Sequence, residues 1–529
     1  MTPRRLFLLI GGSVLAVALP LAVNPSLHLR ADAMSNTALA HAVRRHGLPP
    51  PDPYLAGQPL QYHWGYNAAV AGLSALTGLD PLPLMVWLGP VALGVVLVAG
   101  ARIVRRAGGS NEGAALAALL ALVGLNGWGW GILAVRWAAG EASSAASLDG
   151  GVSSFLPLMV CGYDVRLAFF ATKALVATSF IWCLALVAVA VGALARLLCE
   201  GGWRHGAVFA LAAAGASCAT AHVGAGLLML ALAWLAIVLS VARRRPELVP
   251  PRRPALALGF VGVGLALFVP YLVLVSGGAA ARERLAWAAL PDASHLLGAA
   301  AGLAPLAACV AVVGRPTRWR IEHVWLWFLA AGFAAAFLVV RVVDGVETKF
   351  LFVAAMLLAF YVGSLAGELT PRRRRLLWLV AASAVPTTLL GLVAYARAPD
   401  TIGLSRSEAA AFDWIARNAP PDAVVVARER STLVPILARR DLYVPDRLGF
   451  HRAARYDPAV WQRRTEQMRR LFDRGEVAAV LDAIAAELRR PVLLLARASE
   501  MRVDAPRLRP LFSAGDIQVL RLEGPHEAP

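Results

Sequence analysis

Only two of the chain's 51 strongly basic residues are lysine, and both stand directly ahead of long apolar runs: Lys173 in "FFATKALV" and Lys349 in "ETKF". An ammonium is a compact cation with three donors, whereas guanidinium is a planar fork. Either the two lysines snorkel to a membrane interface, or they mark a place whose shape admits an ammonium and not a fork. Asp32, in "RADAM", opens an Ala-rich stretch. It is either the cap of a helix, a solvated loop acid, or a carboxylate placed to accept a proton. His222, in "CATAHVGAG", falls where two apolar segments meet. It is either a turn histidine bonded to backbone or a functional intramembrane base. Asp52, Tyr62, His63 and Trp64 crowd into "PPPDPYLAGQPLQYHWG", with the two aromatics Tyr62 and Trp64 also suited to anchor a bilayer boundary.

The elements that must position these residues follow from composition. The chain of 529 residues is 58% hydrophobic and only 16% charged. Its apolar residues come in runs of about 20, the length that crosses a ~30 Å hydrocarbon core. We expect eleven spans, near 6–23, 81–101, 113–134, 174–195, 206–220, 223–241, 255–275, 295–314, 322–340, 350–367 and 376–396. The basic-then-apolar start resembles a signal peptide, with "ADA" at 31–33 resembling a cleavage site. Its apolar part is longer than a signal core, which favours an uncleaved first span. The five cysteines show neither CxxC nor metal-like spacing and read as small core hydrophobes.

Charge sets the expected sides. With the N-terminus inside, the loops on that side carry 19 basic and 5 acidic residues, against 10 of each on the other side up to 396. This is the asymmetry of the positive-inside rule. It requires 206–241 to be two short helices turning near His222, since one long helix would put later clusters on the wrong face. The expectation is a protein of the cell (inner) membrane with a cytoplasmic N-terminus. A net charge of +18 then faces anionic membrane lipid, and nucleic acid is excluded as a partner.

The tail has no spanning run. "SRSEAAAFDWIARNAP" predicts a helix capped by Ser405 or Ser407, and "AVVVA", "PVLLLA" and "DIQVLRL" predict strands. Residues 1–396 are thus expected to form a transmembrane domain with a long first outer loop, 24–80, and 397–529 a soluble extracytoplasmic α/β domain. The tail lacks a Gly-rich phosphate loop and a nucleophile elbow, so a structural or acceptor-guiding role is expected of it.

An acid just after the first span, a surface helix, and then "GLPPPDPYLAGQPLQYHW" resemble the first outer loop of the GT-C membrane glycosyltransferases, a superfamily that includes protein O-mannosyltransferases, aminoarabinose transferases and oligosaccharyltransferases. About eleven spans followed by an external soluble domain resemble the same architecture. The resemblance implies transfer, with inversion, of a sugar from a polyprenyl-phosphate donor to a glycan, lipid or protein acceptor on the outer face. It implies Asp32 as the base that deprotonates the acceptor. Lys173 with Arg166, and Lys349 with Arg341, would hold the carrier phosphate at the outer ends of two spans. Asp52, Tyr62, His63, Trp64 and His222 would line the substrate or carrier site. Glu347 would pair with Lys349, act as a second acid, or bind Mg²⁺ or Mn²⁺. Two other classes stay open: a transporter or flippase of lipid-linked intermediates, against which stand the scarcity of mid-span ionisable residues and the lack of an inverted repeat, and an inactive scaffold of the same fold.

Overall fold

A computed structural model describes residues 1–29, 31–60, 62–123, 172–175, 178–245, 250, 252–276, 285–287, 293–342, 348–383, 385–397, 402–445, 457–500 and 507–523. The chain divides into two compact units. One comprises Met1–His28, Val86–Val273 and Arg282–Pro399; the other comprises Leu29–Met85, Leu274–Ala281 and Asp400–Pro529.

The first unit is helical, and a helix lies at each of the eleven expected segments. The third is described as far as Val123, and the last comes as two pieces, Pro371–Ser383 and Val385–Ala396. Seven described helices are long and apolar enough to cross a membrane. The chain is a multi-pass membrane protein. The expected break between 206–220 and 223–241 is present: Trp203–Ala219 ends at Thr220, which takes up an extended backbone before Ala221–Arg244 begins. The Thr220 carbonyl accepts the amides of Val223 and Gly224, both at 3.1 Å, which closes the turn.

Burial sorts these helices. The span beginning at Thr348 is 89% buried over its apolar window, against 28% for Pro3–Val23, so the former is the centre and the latter is largely exposed. Close backbone approach holds the centre in place. A Cβ on Gly113 would lie 2.2 Å from the Gly363 carbonyl oxygen, and one on Gly363 would lie 2.5 Å from that of Gly113. Small residues are what let membrane helices touch in this way. Ser179–Glu200 packs beside this centre, and its last residue, Glu200, meets Arg106 at 2.6 Å. Buried Glu322 stands 3.6 Å from the same guanidinium, tying three helix ends together. A short antiparallel pair, β1 (Leu285–Trp287) and β2 (Val340–Val342), completes the described unit.

The second unit is a five-stranded mixed sheet. Its strands are β3 (Val424–Ala427), β4 (Asp441–Leu442), β5 (Val492–Arg497), β6 (Leu508–Ala514) and β7 (Ile517–Leu522), in the spatial order β4-β3-β5-β7-β6. The first three run parallel; β7 and β6 are antiparallel. Helix Arg406–Asn418 packs on one face, through Phe412 and Ile415. Helices Pro458–Phe472 and Val477–Leu488 pack on the other, through Leu471 and Ile484. Ser405 is the N-cap of Arg406–Asn418: its hydroxyl accepts from the Glu408 amide at 3.1 Å, and Glu408 accepts in return from the Ser405 amide at 2.8 Å. This reciprocal pair satisfies two of the helix's unpaired donors. β6 carries Pro510, which confines it to the sheet edge.

The long loop after the first helix is part of this sheet unit. The Ala56 amide donates to the Leu442 carbonyl at 2.9 Å, and the Leu442 amide donates to that of Pro53 at 2.8 Å. Residues 53–56 therefore lie along the free edge of β4 like one more strand. Tyr54 enters the core on one face of the sheet, and Leu55 and Ala56 enter the core on the other.

Candidate functional site

In the first unit the two lysines meet. Lys173 lies on the short helix Thr172–Leu175, which helix Pro81–Arg106 approaches so closely that a Cβ on Gly89 would stand 2.1 Å from the Ala174 carbonyl oxygen. Lys349 is the second residue of Thr348–Leu365. The Lys173 ammonium sits over the Phe352 ring, 5.1 Å from its centroid, and the Lys349 ammonium over the Phe180 ring at 5.5 Å. The two rings touch edge to face, with centroids 5.7 Å apart. Each ammonium therefore rests on the electron-rich face of a ring belonging to the other lysine's neighbourhood. His222, second in Ala221–Arg244, joins through Phe350, ring edge against ring face at 5.4 Å. Phe333 backs Phe350 at 6.1 Å.

Three helices begin here. Phe180, His222 and Lys349 are each the second residue of their helix, and the Thr178 hydroxyl caps the first by accepting from the Phe180 amide at 3.2 Å. A helix start carries roughly half a positive charge, so a lysine there is opposed by about 0.3–1 kcal/mol. Two ammonium groups and three helix starts make one electropositive centre, suited to an anion. The helix dipole opposes Lys349 at this position while the Phe180 ring favours it.

In the second unit Asp32 lies in the first turn of helix Ala31–His46, half-buried. It is the second residue of that helix and not its cap; a first-turn carboxylate is favoured by the helix dipole. Asp52 is buried, and its carboxylate accepts from the Tyr54 amide at 2.8 Å, closing the loop that feeds Tyr54 into the core. Tyr62 and His63 stack with centroids 3.9 Å apart, and Trp64 is the buried residue that precedes helix Gly65–Thr77. That helix is tied to Ala31–His46 by Asn67, whose amide donates to the Asn36 carbonyl at 2.9 Å.

A second polar centre of this unit carried no motif in the sequence. The Asp441 carboxylate is fully buried. It accepts from Arg490 at 2.7 Å, from His46 at 3.1 Å and from Arg45. Burial alone would push this carboxyl up; the His46 hydrogen bond and the Arg45 and Arg490 charges outweigh it and hold Asp441 down at about 2. Nearby, His41 faces Asp80 at 3.9 Å, and Asp80 pairs with Arg439 at 2.7 Å. Burial holds the His41 imidazole down to about 3, against the pull of Asp80.

No family model and no curated protein sequence matches the chain. Among solved structures it is similar to ArnT from Cupriavidus metallidurans bound to undecaprenyl phosphate, at 15% identity and a TM-score of 0.54, over 97% of this chain and 99% of that one. The apo state of the same ArnT gives 17% identity and a TM-score of 0.53, with the same coverage. The arabinofuranosyltransferase AftD from Mycobacteria gives 13% identity and a TM-score of 0.55, over 99% of this chain and 40% of that one. The chain has the GT-C fold.

On this fold the residues singled out by sequence fall into groups. Lys173, Lys349 and His222 gather around three phenylalanines that the sequence did not mark. Asp32, Asp52, Tyr62, His63 and Trp64 belong to the second unit, with Asp52 engaged in turn closure. Arg341 lies on β2, opposite Ala286 of β1. Arg166 and Glu347 lie outside the described residues. Among the described residues no three His, Cys, Asp or Glu side chains gather as a metal site. The missed phenylalanines left a faint signal: Phe350 and Phe352 flank Lys349 closely, but aromatic residues in an apolar run read first as core.

Proposed function

We propose that this GT-C chain is a membrane glycosyltransferase that takes a sugar from a polyprenyl-phosphate-linked donor, with Lys173 and Lys349 holding the carrier phosphate. The observation that carries this reading is the meeting of the chain's only two lysines across the Phe180–Phe352 pair, at three helix starts. The fold supports the same reading. In the reaction an acceptor hydroxyl oxygen attacks the anomeric carbon from the face opposite the phosphate. The C–O bond to phosphate breaks with inversion, and polyprenyl phosphate leaves with the bonding electron pair. Its growing negative charge is what the two ammonium groups would stabilise. The hydroxyl proton passes to the Asp32 carboxylate in this scheme. The N-terminus would be cytoplasmic, the second unit extracytoplasmic, and the membrane the inner one.

The test is carrier binding by detergent-purified protein, with undecaprenyl phosphate as probe and native mass spectrometry as readout. Lys173→Ala and Lys349→Ala should each weaken binding about tenfold, or about 1.4 kcal/mol, and the double variant should abolish it. Lys349→Arg should also bind poorly, because a fork does not reproduce a point cation. Asp32→Asn should bind the carrier normally yet lose transfer from a panel of undecaprenyl-phosphate hexoses. Wild-type carrier binding in both alanine variants would remove the lysines from the site.

A further inference from the structure

The sheet of the second unit has an unassigned cavity at the carboxyl ends of its parallel strands. Its walls include Ala427 and Arg428, where β3 ends, and Val444 and Pro445, just past β4. The chain leaving β3 runs into residues 431–438, packed on the Phe412 face, while the chain leaving β4 runs to helix Pro458–Phe472 on the opposite face. The cavity thus opens at the carboxyl ends of the parallel strands, the end of an open α/β sheet outside which ligands bind. Here it measures about 310 Å³, within the range of small-molecule sites.

The chemistry of the walls narrows the ligand. Trp461 and Phe472 supply apolar surface. Arg428 and Asp473 pair at 2.8 Å, and Arg469 lies 3.6 Å from Glu466. Both guanidinium groups thus already have carboxylate partners, so the site does not call for a charged ligand; it offers donors and acceptors side by side. Thr465 also lines the cavity, and its buried hydroxyl has no hydrogen-bond partner among the described residues. A buried hydroxyl left unpaired costs about 1–3 kcal/mol, which a hydroxyl-bearing ligand would recover. An aromatic face beside a donor–acceptor pair and a free hydroxyl matches a pyranose, which has an apolar C–H face and a rim of hydroxyls. A fatty chain would leave the polar groups unmet, and an anion would face Asp473.

We infer that this cavity binds a neutral glycosyl unit, separately from the carrier site. The inference goes beyond the transferase reading and does not require it. The experiment is saturation-transfer NMR and calorimetry on the full chain in nanodiscs, with maltose, cellobiose and mannobiose as probes and glucuronate and inorganic phosphate as charged controls. At least one neutral disaccharide should bind saturably. Trp461→Ala should weaken it at least tenfold and the near-isosteric Thr465→Val about threefold, with undecaprenyl phosphate binding unchanged in both. Should Trp461→Ala fail to fold, Thr465→Val decides alone. Lys349→Ala should bind the disaccharide normally, so failure of the carrier site leaves this result standing. Absence of saturable binding by all three sugars up to 50 mM, binding indifferent to Thr465→Val, or displacement by phosphate would each overturn the inference.

Discussion

The lysine cluster of the first unit and the Asp441 centre of the second use the same resource, positive charge, in opposite ways. Around Asp441 two arginines and a histidine meet one fully buried carboxylate, and the arginine forks are spent on fixed partners. Around Phe180 and Phe352 two ammonium groups lie on ring faces at helix starts, where the helix dipole opposes them. The first arrangement consumes charge to join distant pieces of chain. The second gathers it on ring faces at helix starts, where the ring contact and the helix dipole act in opposite senses. On the proposed reading, charge that contributes to folding and charge held for a ligand would differ in their surroundings, and also in the choice between arginine and lysine.

That contrast can be broken most forcefully at Asp441. Asp441→Asn leaves Arg45 and Arg490 facing each other without their anion. It should destabilise the second unit by about 3–5 kcal/mol, read as faster hydrogen exchange of the β3 and β5 amides. The same exchange should respond to acid in two stages. A histidine whose folded pKa is depressed binds its proton first in the unfolded chain, so His41 makes stability fall as pH drops from 6.5 towards about 3. Asp441, with its folded pKa also depressed, contributes stability above about pH 4, and this is lost as pH falls towards 2. His41→Gln should flatten the first stage and leave the second.

Smaller effects test the lysine side. Gly89→Ala forces a methyl against the Ala174 carbonyl. It should cost about 1–3 kcal/mol, and by shifting Lys173 it should weaken undecaprenyl phosphate binding. Lys349→Met should alter thermal stability least, within about 1 kcal/mol, because loss of the ring contact and relief from the helix dipole oppose each other. The same variant should still bind the carrier about tenfold less tightly. A large stability loss in Lys349→Met would make this lysine a structural group like those around Asp441.

Local pattern carried much of this fold. The apolar runs located the helices, and charge asymmetry required the break that Thr220 makes. The helix start was legible, with Ser405 the one of the two candidate caps that is used, and the Val- and Leu-rich runs of 424–427 and 492–497 announced β3 and β5. The partnership of residues 53–56 with Leu442 was invisible, because two hydrogen bonds between remote segments leave no periodicity in either. For the same reason nothing in "RRH" at 44–46 or "RRD" at 439–441 indicates that the two meet at Asp441. At the candidate site the lysines stood out by rarity, whereas Phe180 and Phe352 were hidden by the apolar runs that contain them. Asp52 stood out because it sits among aromatics, and its bond from the Tyr54 amide was not legible in the sequence.

The insertion of Tyr54 and the pairing of residues 53–56 along β4 bear on how this protein can be dissected. A fragment starting near residue 400 would expose a raw β edge and a hole the size of a tyrosine, an invitation to self-association. Any excised soluble piece, whether made by an engineer or by gene rearrangement, must bring the stretch from Ala31 to Thr77 along with it.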